Sequence, residues 1–523
     1  MSQEDSPQDS LAGRLGRRGS RNILGLIYYG LANLMIVVVV SRTGLGNSGA
    51  FYTAIAVLNV LVRILVLGAD FGLLRFISQR IALDRRREIA GIWLPALLPV
   101  VVVSALAGCT LFVYSDELAQ IVGDSKYESI LTTHFRLLAP ILPLNVVYFI
   151  LESASRGFGS VTPSLVLEKY GKSTLQLLLV SFAVAMSASS TILMLAWAGP
   201  IVVACLAMAA WIVREARRTT SRARAEASET AVAPQRRVLA LEFWKFSAPR
   251  APARIFQAGI LWSDAIFIGA FASTASAGIY VAATRFMLVA TLMQLGIGQV
   301  FLPLLSSALA REDREGALTL FRSASVWAML ASWPALIGVM SFAPLLLGLY
   351  GDEYRTAATA LLVLGAAWMV TVAVGPVDSV LLIADRSWLT TANVAVAAAV
   401  NVGLNLVLIP RHGILGAAVA WSVSLLVNNV VPLLEIKWLL GFTPFGAMTI
   451  EALMPLGAFA ASLVAARLLF GATAIGAISG SVVGLAIFVT VVSIRREQLG
   501  ISAFRKNPSL SDEKLLRTER DCA

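Results

Sequence analysis

GLYGDEY, residues 348–354, brings two carboxylates together between long apolar runs of the chain. A related stretch, IVGDSKY at 121–127, stands in the first half, where its Gly-Asp pair lies 228 positions earlier. At this offset Tyr52 aligns with Tyr280, and 71 residues separate the tyrosine from the Gly-Asp pair in both halves. Several features with one shared spacing are harder to obtain by chance than one short motif, so the pattern predicts an internal repeat.

The composition is that of a membrane protein. Of the 523 residues, 58% are hydrophobic and 14% are charged, whereas about 25% are charged in an average globular protein. Apolar runs recur along the whole chain, and a helix of roughly 20 such residues crosses the hydrocarbon of a bilayer. We therefore predict an all-α polytopic membrane protein with about fourteen transmembrane helices. In order, the predicted spans are 22–41, 48–68, 91–114, 130–155, 163–186, 190–213, 247–271, 277–300, 323–344, 356–384, 388–409, 413–434, 449–470 and 474–494.

The distribution of basic residues predicts the orientation. The formal net charge is +11, and 34 of the 42 Lys and Arg residues fall in the terminal segments and alternate loops of one side. This asymmetry follows the positive-inside rule, which places both termini in the cytoplasm. The basic charge therefore indicates topology and contact with anionic lipid heads, and not a nucleic-acid surface.

The repeat and the spans together predict two lobes. Each half contains six spans, and an even number returns the chain to its starting side, so the lobes are parallel repeats related by an axis along the membrane normal. The two Gly-Asp turns become the external entry to the fourth helix of each lobe, with their tyrosines at the water interface. The predicted organisation is an N-terminal tail (1–21), a first lobe (22–213), a linker (214–246), a second lobe (247–440), two added helices (441–494) and a C-terminal tail (495–523).

Few residues point to bound cofactors or to catalysis. Three cysteines and two histidines are too few and too dispersed for a disulfide framework or a metal cluster. YGKST at 170–174 ends like a phosphate-binding loop, but Val166 stands where the motif requires glycine, and the segment opens a membrane span. We expect neither a cofactor nor a metal, and no nucleophile–base arrangement indicates an enzyme.

The second half resembles the C-terminal lobe of bacterial polysaccharide flippases. That family has a Gly-x-x-Tyr loop, a span ending near "vLla-gr" and the motif "N…lNl.LiP.yGi.GAA.A". The matching segments here are 351–354, 381–386, 401–410 and 413–418, supported by AGIYVAATR at 277–285 and FLPLLSSALARED at 301–313. The resemblance covers about residues 20–440, and the chain departs from it with Arg411-His412 where the family has an aromatic residue.

This resemblance implies a function as well as a fold. The family belongs to the superfamily of multidrug and toxin extruders and lipid II flippases, with twelve core helices in two lobes. It implies transport of an undecaprenyl-type lipid-linked oligosaccharide, such as an O-antigen or exopolysaccharide unit for lipopolysaccharide or other polysaccharide biosynthesis. Transport would cross the bacterial inner membrane, with membrane lipids and other polysaccharide-assembly proteins as partners. It also implies a cationic central cavity that receives the pyrophosphate of the lipid.

Ionisable residues inside spans are costly, so they are the candidates for the site. Arg285 and Asp264 lie on consecutive helices at similar depth, about 12–13 Å from the external loop between them. They could form a structural ion pair, or Arg285 could meet a phosphate, which its planar fork binds bidentately, while Asp264 releases or relays that phosphate. Arg63 could also face the cavity or reach the lipid heads, and Arg136 is a further substrate-binding candidate.

Two acidic residues are candidates for an inner gate. Glu152 and Asp378 stand near the cytoplasmic ends of the equivalent helices four and ten, where they could pair with Arg156 or Arg386, or simply cap their helices. Prolines at 140, 143, 334 and 376 predict bent helices, which a rocking movement of two lobes requires.

Two other classes of function remain open at this stage. An ion-coupled small-molecule exporter of the same superfamily would have the same fold. A membrane-embedded glycosyltransferase or polymerase would need clustered carboxylates and large external loops, which this chain does not show. An unrelated facilitator with two parallel halves lacks support, because 69–90 is not the glycine-rich loop that such proteins carry between spans two and three.

Overall fold

The structure, a computed structural model, describes residues 7–225, 236–384 and 386–500, and this part of the chain is helical without strands. The helices are α1 (Pro7–Ser41), α2 (Leu45–Leu65), α3 (Ala69–Ala82), α4 (Ile89–Val113), α5 (Ser115–Val122), α6 (Glu128–Leu138), α7 (Ile141–Gly157), α8 (Ser173–Ala185), α9 (Ser190–Ala225), α10 (Arg236–Ser247), α11 (Ala251–Phe271), α12 (Thr274–Arg285), α13 (Leu288–Ala310), α14 (Arg314–Ser341), α15 (Ala343–Gly348), α16 (Ala358–Val374), α17 (Val377–Ile383), α18 (Ser387–Leu440), α19 (Ala447–Phe470) and α20 (Ala474–Ile494). Short 3-10 helices at 86–88, 125–127, 248–250 and 352–357 and a π-helix at Ser164–Lys172 connect them.

The all-helical membrane fold is confirmed, while the count of fourteen spans stays a prediction. Within the described residues, ten helices are long and apolar enough to cross a membrane, or eleven if the bent pair of α6 and α7 forms one span. Several predicted spans coincide with interrupted or merged helices. The fifth is divided between the π-helix and α8, and the eighth is divided between α12 and α13.

The breaks in these helices have local causes. α18 contains the predicted spans eleven and twelve and is kinked at Gly413, whose φ of +52° a glycine adopts without the steric penalty of a side chain. α6 and α7 meet at 53° next to Pro140, as the sequence predicts for a proline. α16 and α17 are separated at Pro376, whereas α14 continues through Pro334.

The described chain divides into two compact units. The first takes its residues from Met1–Leu288, Leu347–Leu364 and Thr391–Ser424, and the second from Val289–Leu346, Gly365–Thr390 and Leu425–Ala523. These units do not follow the predicted lobes, because the first unit contains parts of the predicted second lobe. The lobe boundaries therefore stay a prediction.

α2 forms the centre of the first unit. Phe51 and Ala54 are fully buried, and the helix packs against α11 and α12. A Cβ atom on Gly49 would lie 1.9 Å from the carbonyl oxygen of Thr274, and one on Gly278 would lie 2.9 Å from the Cα of Gly49. Small residues at this contact allow the backbones of α2 and α12 to touch, as is common between membrane helices.

The second unit has its own apolar cores. One surrounds Phe321 of α14, Val380 of α17 and Ile436 of α18. α19 and α20 coincide with the predicted spans thirteen and fourteen, and they pack closely because a Cβ on Gly480 would lie only 2.7 Å from Ala466. These two helices also share buried side chains with α14.

The structure repeats short elements at the offset that the sequence predicts. α5 begins at Ser115 and α15 at Ala343, a difference of 228 residues, and a 3-10 helix follows each of them. The segment predicted as a linker is helical where it is described, since α9 continues to Ala225 and α10 begins at Arg236. α10 packs on α3 and α4 and buries Phe243, so this half of the segment is packed structure and not a spacer.

The predicted tails fall partly outside the described residues. α1 already begins at Pro7, so the described part of the N-terminal tail continues the first helix. Residues 226–235 of the linker and 501–523 of the C-terminal tail lie outside the described part of the chain.

Candidate substrate cavity and its closures

A polar cavity of about 380 Å³ lies inside the first unit. α1, α2, α7, α8, α9, α11 and α12 contribute to its wall, together with the π-helix and Leu288 at the start of α13. Its charged lining residues are Arg63, Glu152, Glu168, Lys169, Lys172 and Arg285. Aromatic rings and amides form most of the remaining wall, namely Tyr29, Asn33, Tyr52, Asn59, Asn145, Tyr148, Phe149, Gln176, Trp197 and Trp262.

The cavity carries more positive than negative charge. Glu168 neutralises Lys172, with its Oε1 atom 2.7 Å from Nζ, and it accepts a 2.5 Å hydrogen bond from the Tyr148 hydroxyl. Glu152 accepts a 2.6 Å hydrogen bond from the Ser164 hydroxyl. Four cations therefore face two carboxylates, which leaves the cavity with a formal excess of positive charge.

Arg63 and Arg285 are two of the cavity cations with donors left for a ligand. No described carboxylate lies within ion-pair distance of either guanidinium. The Cζ of Arg63 lies 4.5 Å from the ring centre of Phe149, and that of Arg285 lies 5.7 Å from the ring centre of Trp262. Stacking on an aromatic face orients a guanidinium and leaves its in-plane N–H groups available, which suits a phosphate.

Asp264 does not pair with Arg285, which is the structural alternative that the sequence left open. The side chain is 4% exposed and does not line the cavity. Its Oδ2 accepts a 2.8 Å hydrogen bond from Tyr280, and its Oδ1 accepts bonds of 3.1 Å from Asn401 and 2.7 Å from Asn405. The Oδ1 of Asn405 is buried and has no hydrogen-bond partner among the described residues. Asp264 thus belongs to a separate buried polar cluster.

The remaining predicted site residues lie at different places. Arg136 binds Asp116 at 2.6 Å and the Ser115 hydroxyl at 2.9 Å, is about half exposed and does not line the cavity. Glu152 lines the cavity but forms no ion pair with Arg156, whose guanidinium donates to Ser153.

Asp378 belongs to the second unit, in the first turn of α17. Its Oδ1 is buried without a hydrogen-bond partner among the described residues. Of the six predicted residues, the structure brings Arg63, Arg285 and Glu152 together in one cavity, and it does not place Asp264, Arg136 or Asp378 in the lining of that cavity.

A buried ion pair joins α3 to α11 just beyond one end of α2. Asp70 is 1% exposed, and its Oδ2 accepts a hydrogen bond from the Arg254 guanidinium. The same guanidinium lies 4.2 Å from the ring centre of Phe71 and 5.9 Å from that of Phe149, which also lines the cavity. In the predicted topology, this ion pair lies at the cytoplasmic end of α2.

A second set of contacts joins the opposite end of α2 to the repeated turns. The Ser48 hydroxyl lies 2.9 Å from the Tyr354 hydroxyl. Asp124 and Thr274 exchange two 3.0 Å hydrogen bonds, from each backbone N–H to the other's side-chain oxygen. Tyr354 is 3% exposed, so the predicted position of this tyrosine at the water interface is wrong. In the predicted topology, these contacts lie at the external end of α2, about 30 Å from the Asp70–Arg254 pair along this helix.

The π-helix contributes two lysines to the cavity that the sequence did not identify as site residues. Lys169 and Lys172 lie at the start of the fifth predicted span, 163–186, where the charge distribution counts them among the basic residues of the cytoplasmic side, whereas both line the cavity. The spacing of Glu168 and Lys172, four residues apart, is the signal that could have identified a helical pair at this position.

The structure is similar to lipid II flippase MurJ in an inward closed conformation, with a TM-score of 0.70 and 11% identity over 91% of this chain and 99% of that one. It is also similar to an inward-facing multidrug resistance MATE family transporter of the MOP superfamily, with a TM-score of 0.64 and 15% identity over 79% of this chain and 94% of that one. At these identities the likeness establishes a shared fold.

Sequence comparison adds a curated relative and a family. The probable low-salt glycan biosynthesis flippase Agl15 of Haloferax volcanii is 25% identical over 171 residues, which are 32% of this chain. The match spans little more than a third of that relative's length, at 36%. A family model described as "Polysaccharide biosynthesis protein" matches residues 50–359. Because this match covers more than half of the sequence, the chain belongs to the polysaccharide biosynthesis protein family, with the fold of the MOP superfamily of membrane transporters.

Proposed function

We propose that this multi-pass membrane protein flips a lipid-linked oligosaccharide across the membrane by alternating access. The observation that carries the proposal is the cationic cavity, in which Arg63 and Arg285 lack a carboxylate partner among the described residues. The family match and the partial match to a glycan biosynthesis flippase support the same class of cargo.

The cavity suits the pyrophosphate of a polyprenyl carrier. An arginine fork binds two phosphate oxygens at once, and Lys169 supplies a third cation beside the ring of Tyr29, at 4.4 Å. The cavity volume of about 380 Å³ is near the lower end of the range of about 300–1,000 Å³ for ligand sites. The pyrophosphate and its first sugars would occupy it, and a longer glycan needs space that opens when the lobes move.

Alternating access requires two closures that do not open together. The Asp70–Arg254 ion pair closes the predicted cytoplasmic end, and the Asp124–Thr274 and Ser48–Tyr354 contacts close the other end. Entry of the head group breaks the Asp70–Arg254 ion pair. Release of the head group breaks the contacts at the other end. Aromatic stacking on Phe71 holds Arg254 in reach of Asp70, so the ion pair can form again after release.

The cluster around Asp264 is our candidate for ion coupling. It combines a buried carboxylate with two asparagines on α18, and one asparagine oxygen has no described partner. A buried ionisable group in a membrane helix marks an ion pathway by default, and carboxylate and amide oxygens are ligands for hard cations. Binding of a proton or metal cation there would change how α11, α12 and α18 pack. This change in packing would drive the movement of the lobes.

An ion-coupled exporter of small molecules is the second candidate, and the MATE-like fold favours it. The excess positive charge of the cavity disfavours cationic drugs and favours an anionic cargo. The transferase alternative would need a free carboxylate as base, but Glu152 and Glu168 already accept hydrogen bonds from neighbouring side chains. We therefore propose transport and not catalysis.

The proposed location is the inner membrane of a bacterial cell with both termini in the cytoplasm, as the charge distribution predicts. The cargo carrier is proposed to be of the undecaprenyl type. The glycan would be an O-antigen or exopolysaccharide repeat unit, handed on by other polysaccharide-assembly proteins.

Deletion of the gene followed by lipid analysis tests this function. The expected result is accumulation of intact polyprenyl-linked oligosaccharide in the cytoplasmic leaflet, reversed by the wild-type protein. Normal surface glycans together with altered drug sensitivity would contradict it and favour the small-molecule exporter.

A further inference from the structure

A second recess lies outside the substrate cavity, on the side of the first unit formed by α4, α7 and α9. It is a groove of about 660 Å³, within the range of volumes that hold a small ligand. Its wall is almost entirely apolar and includes Trp93, Leu97, Val147, Leu151, Ile212 and Val213. On the same helices, Leu94 and Leu98 of α4 and Leu206 of α9 are more than half exposed, so α4 and α9 present apolar surface that is suited to contact with lipid.

The rim of the groove is strongly basic. Arg217 is part of its wall, and the adjoining recess is lined by Arg214, Arg217 and Arg218 in the second half of α9. All three arginines are exposed, and the single carboxylate between them, Glu215, lies 3.9 Å from Arg218. Ala209 and Val213 line both recesses, so the apolar groove and the basic rim are continuous.

We propose that this groove binds an anionic phospholipid from the leaflet on the predicted cytoplasmic side. An acyl chain would lie along the apolar wall, and the phosphate would bind the guanidinium groups of Arg214, Arg217 and Arg218. Basic pockets between transmembrane helices on this side of a membrane recognise anionic headgroups. Arginine adds directional hydrogen bonds to phosphate oxygens.

The position of the rim favours a separate lipid over the tail of the transported substrate. α7 stands between the groove and the cavity, with Val147 and Leu151 on the groove and Tyr148 and Glu152 on the cavity. A substrate whose pyrophosphate occupies the cavity would carry its anion on the opposite face of α7 from the arginine rim. The ligand of the groove therefore has its own anionic group.

A lipid bound in the groove would affect the transport site through α7, which lines both the groove and the cavity. A lipid packed against Val147 and Leu151 supports the wall that carries Tyr148 and Glu152, so anionic lipid would act as a positive regulator. This regulatory consequence rests on the proposed function, whereas lipid binding itself does not.

Native mass spectrometry of the full-length protein in a neutral detergent tests the binding, with phosphatidylglycerol and phosphatidylcholine as probes. We expect the wild-type protein to prefer phosphatidylglycerol, and replacement of the three arginines by glutamine (R214Q/R217Q/R218Q) to weaken its binding at least about tenfold. Ala209→Phe should fill the groove and reduce binding to a similar degree. Val203→Phe on the exposed face of the same helix and Arg311→Gln on the same predicted side are the matched controls, and both should bind like wild type.

Two results would overturn the proposal. Unchanged phosphatidylglycerol binding by both the triple variant and Ala209→Phe would remove the site. Displacement of phosphatidylglycerol from the wild type by a short-chain polyprenyl pyrophosphate, with loss of pyrophosphate binding in Ala209→Phe, would assign the groove to the substrate tail. Neither measurement involves transport, so the lipid-binding result can be interpreted even if the proposed flippase function is wrong.

Discussion

Arg285 is the last residue of α12, and its guanidinium faces the cavity without a described carboxylate partner. We predict that Arg285→Ala lowers transport by about 10–100-fold, since hydrogen bonds to a charged group contribute about 1.5–3 kcal/mol. Arg285→Lys should give an intermediate rate, because lysine keeps the charge and loses the planar fork. Glycan export in the complemented deletion strain, at matched protein levels, measures both.

The matched control for Arg285 is Arg136→Ala. Arg136 is also an arginine within a predicted span, but it is paired with Asp116 and does not line the cavity. Its replacement should leave export close to the wild-type rate. Full export by both Arg285 variants would remove Arg285 from the mechanism.

Asp264 allows a prediction about stability. Asp264→Leu removes the acceptor of Tyr280 and Asn401, while Asn405 keeps its 3.1 Å bond to the Asn401 oxygen, and each buried unsatisfied group costs about 1–3 kcal/mol. Asp264→Asn keeps the size and one acceptor oxygen, so its melting temperature should lie between those of the Leu variant and the wild type. Thermal unfolding in detergent checks this order. Equal melting temperatures for all three proteins would show that the hydrogen bonds of Asp264 do not stabilise the fold.

At these positions the sequence predicted part of the site. Arg63 and Arg285 are identifiable because an arginine within an apolar span needs a polar surrounding. The partners of Asp264 are not, because Asn401 and Asn405 lie 137 and 141 residues away in a single sequence. Lys169 was missed for a different reason, since a lysine in the first turns of predicted span five reads as a basic residue at the cytoplasmic boundary, and the sequence gives no sign of a π-helix there.

At the scale of elements, the contact between α2 and α12 depends on glycine. We predict that Gly49→Ala destabilises the protein by about 1–3 kcal/mol, because the new Cβ would meet the Thr274 carbonyl oxygen at 1.9 Å. Gly457→Ala in α19 is the matched control, since a Cβ there meets no atom within 4 Å. Thermal unfolding of the two variants measures the difference, and equal losses would show that close approach at Gly49 is not required.

Hydropathy predicts uninterrupted membrane helices better than broken ones. α19 and α20 agree with predicted spans thirteen and fourteen, because each is an uninterrupted apolar helix. The eighth predicted span is broken at 286–287, next to Arg285, and no proline or glycine marks that position. A break of this kind depends on tertiary packing, which overrides local propensity.

At the scale of the whole molecule, alternating access requires that the external closure open in every cycle. In a background with the native cysteines replaced, D124C/T274C places two thiols where Asp124 and Thr274 now exchange hydrogen bonds. We predict that oxidation of this pair stops export and that a reductant restores it, whereas either single variant is insensitive to oxidant. Continued export by the fully cross-linked protein would rule out opening at this end.

The two repeated turns could be predicted from the sequence, but the residues that they contact could not. GLYGDEY and IVGDSKY identify equivalent turns from sequence alone, because both spacing and chemistry repeat. Their partners are not predictable in this way. Tyr354 reaches Ser48 and Asp124 reaches Thr274, contacts that join the two predicted lobes across 306 and 150 residues.

Transbilayer movement of a lipid-linked oligosaccharide in proteoliposomes is the most direct test of the proposed function. Purified wild-type protein should expose a polyprenyl-pyrophosphate oligosaccharide to a membrane-impermeant glycosidase faster than protein-free liposomes do, and Arg285→Ala should abolish most of this increase. If the wild-type protein gives the same rate as protein-free liposomes under an imposed ion gradient and membrane potential, the flippase account is contradicted.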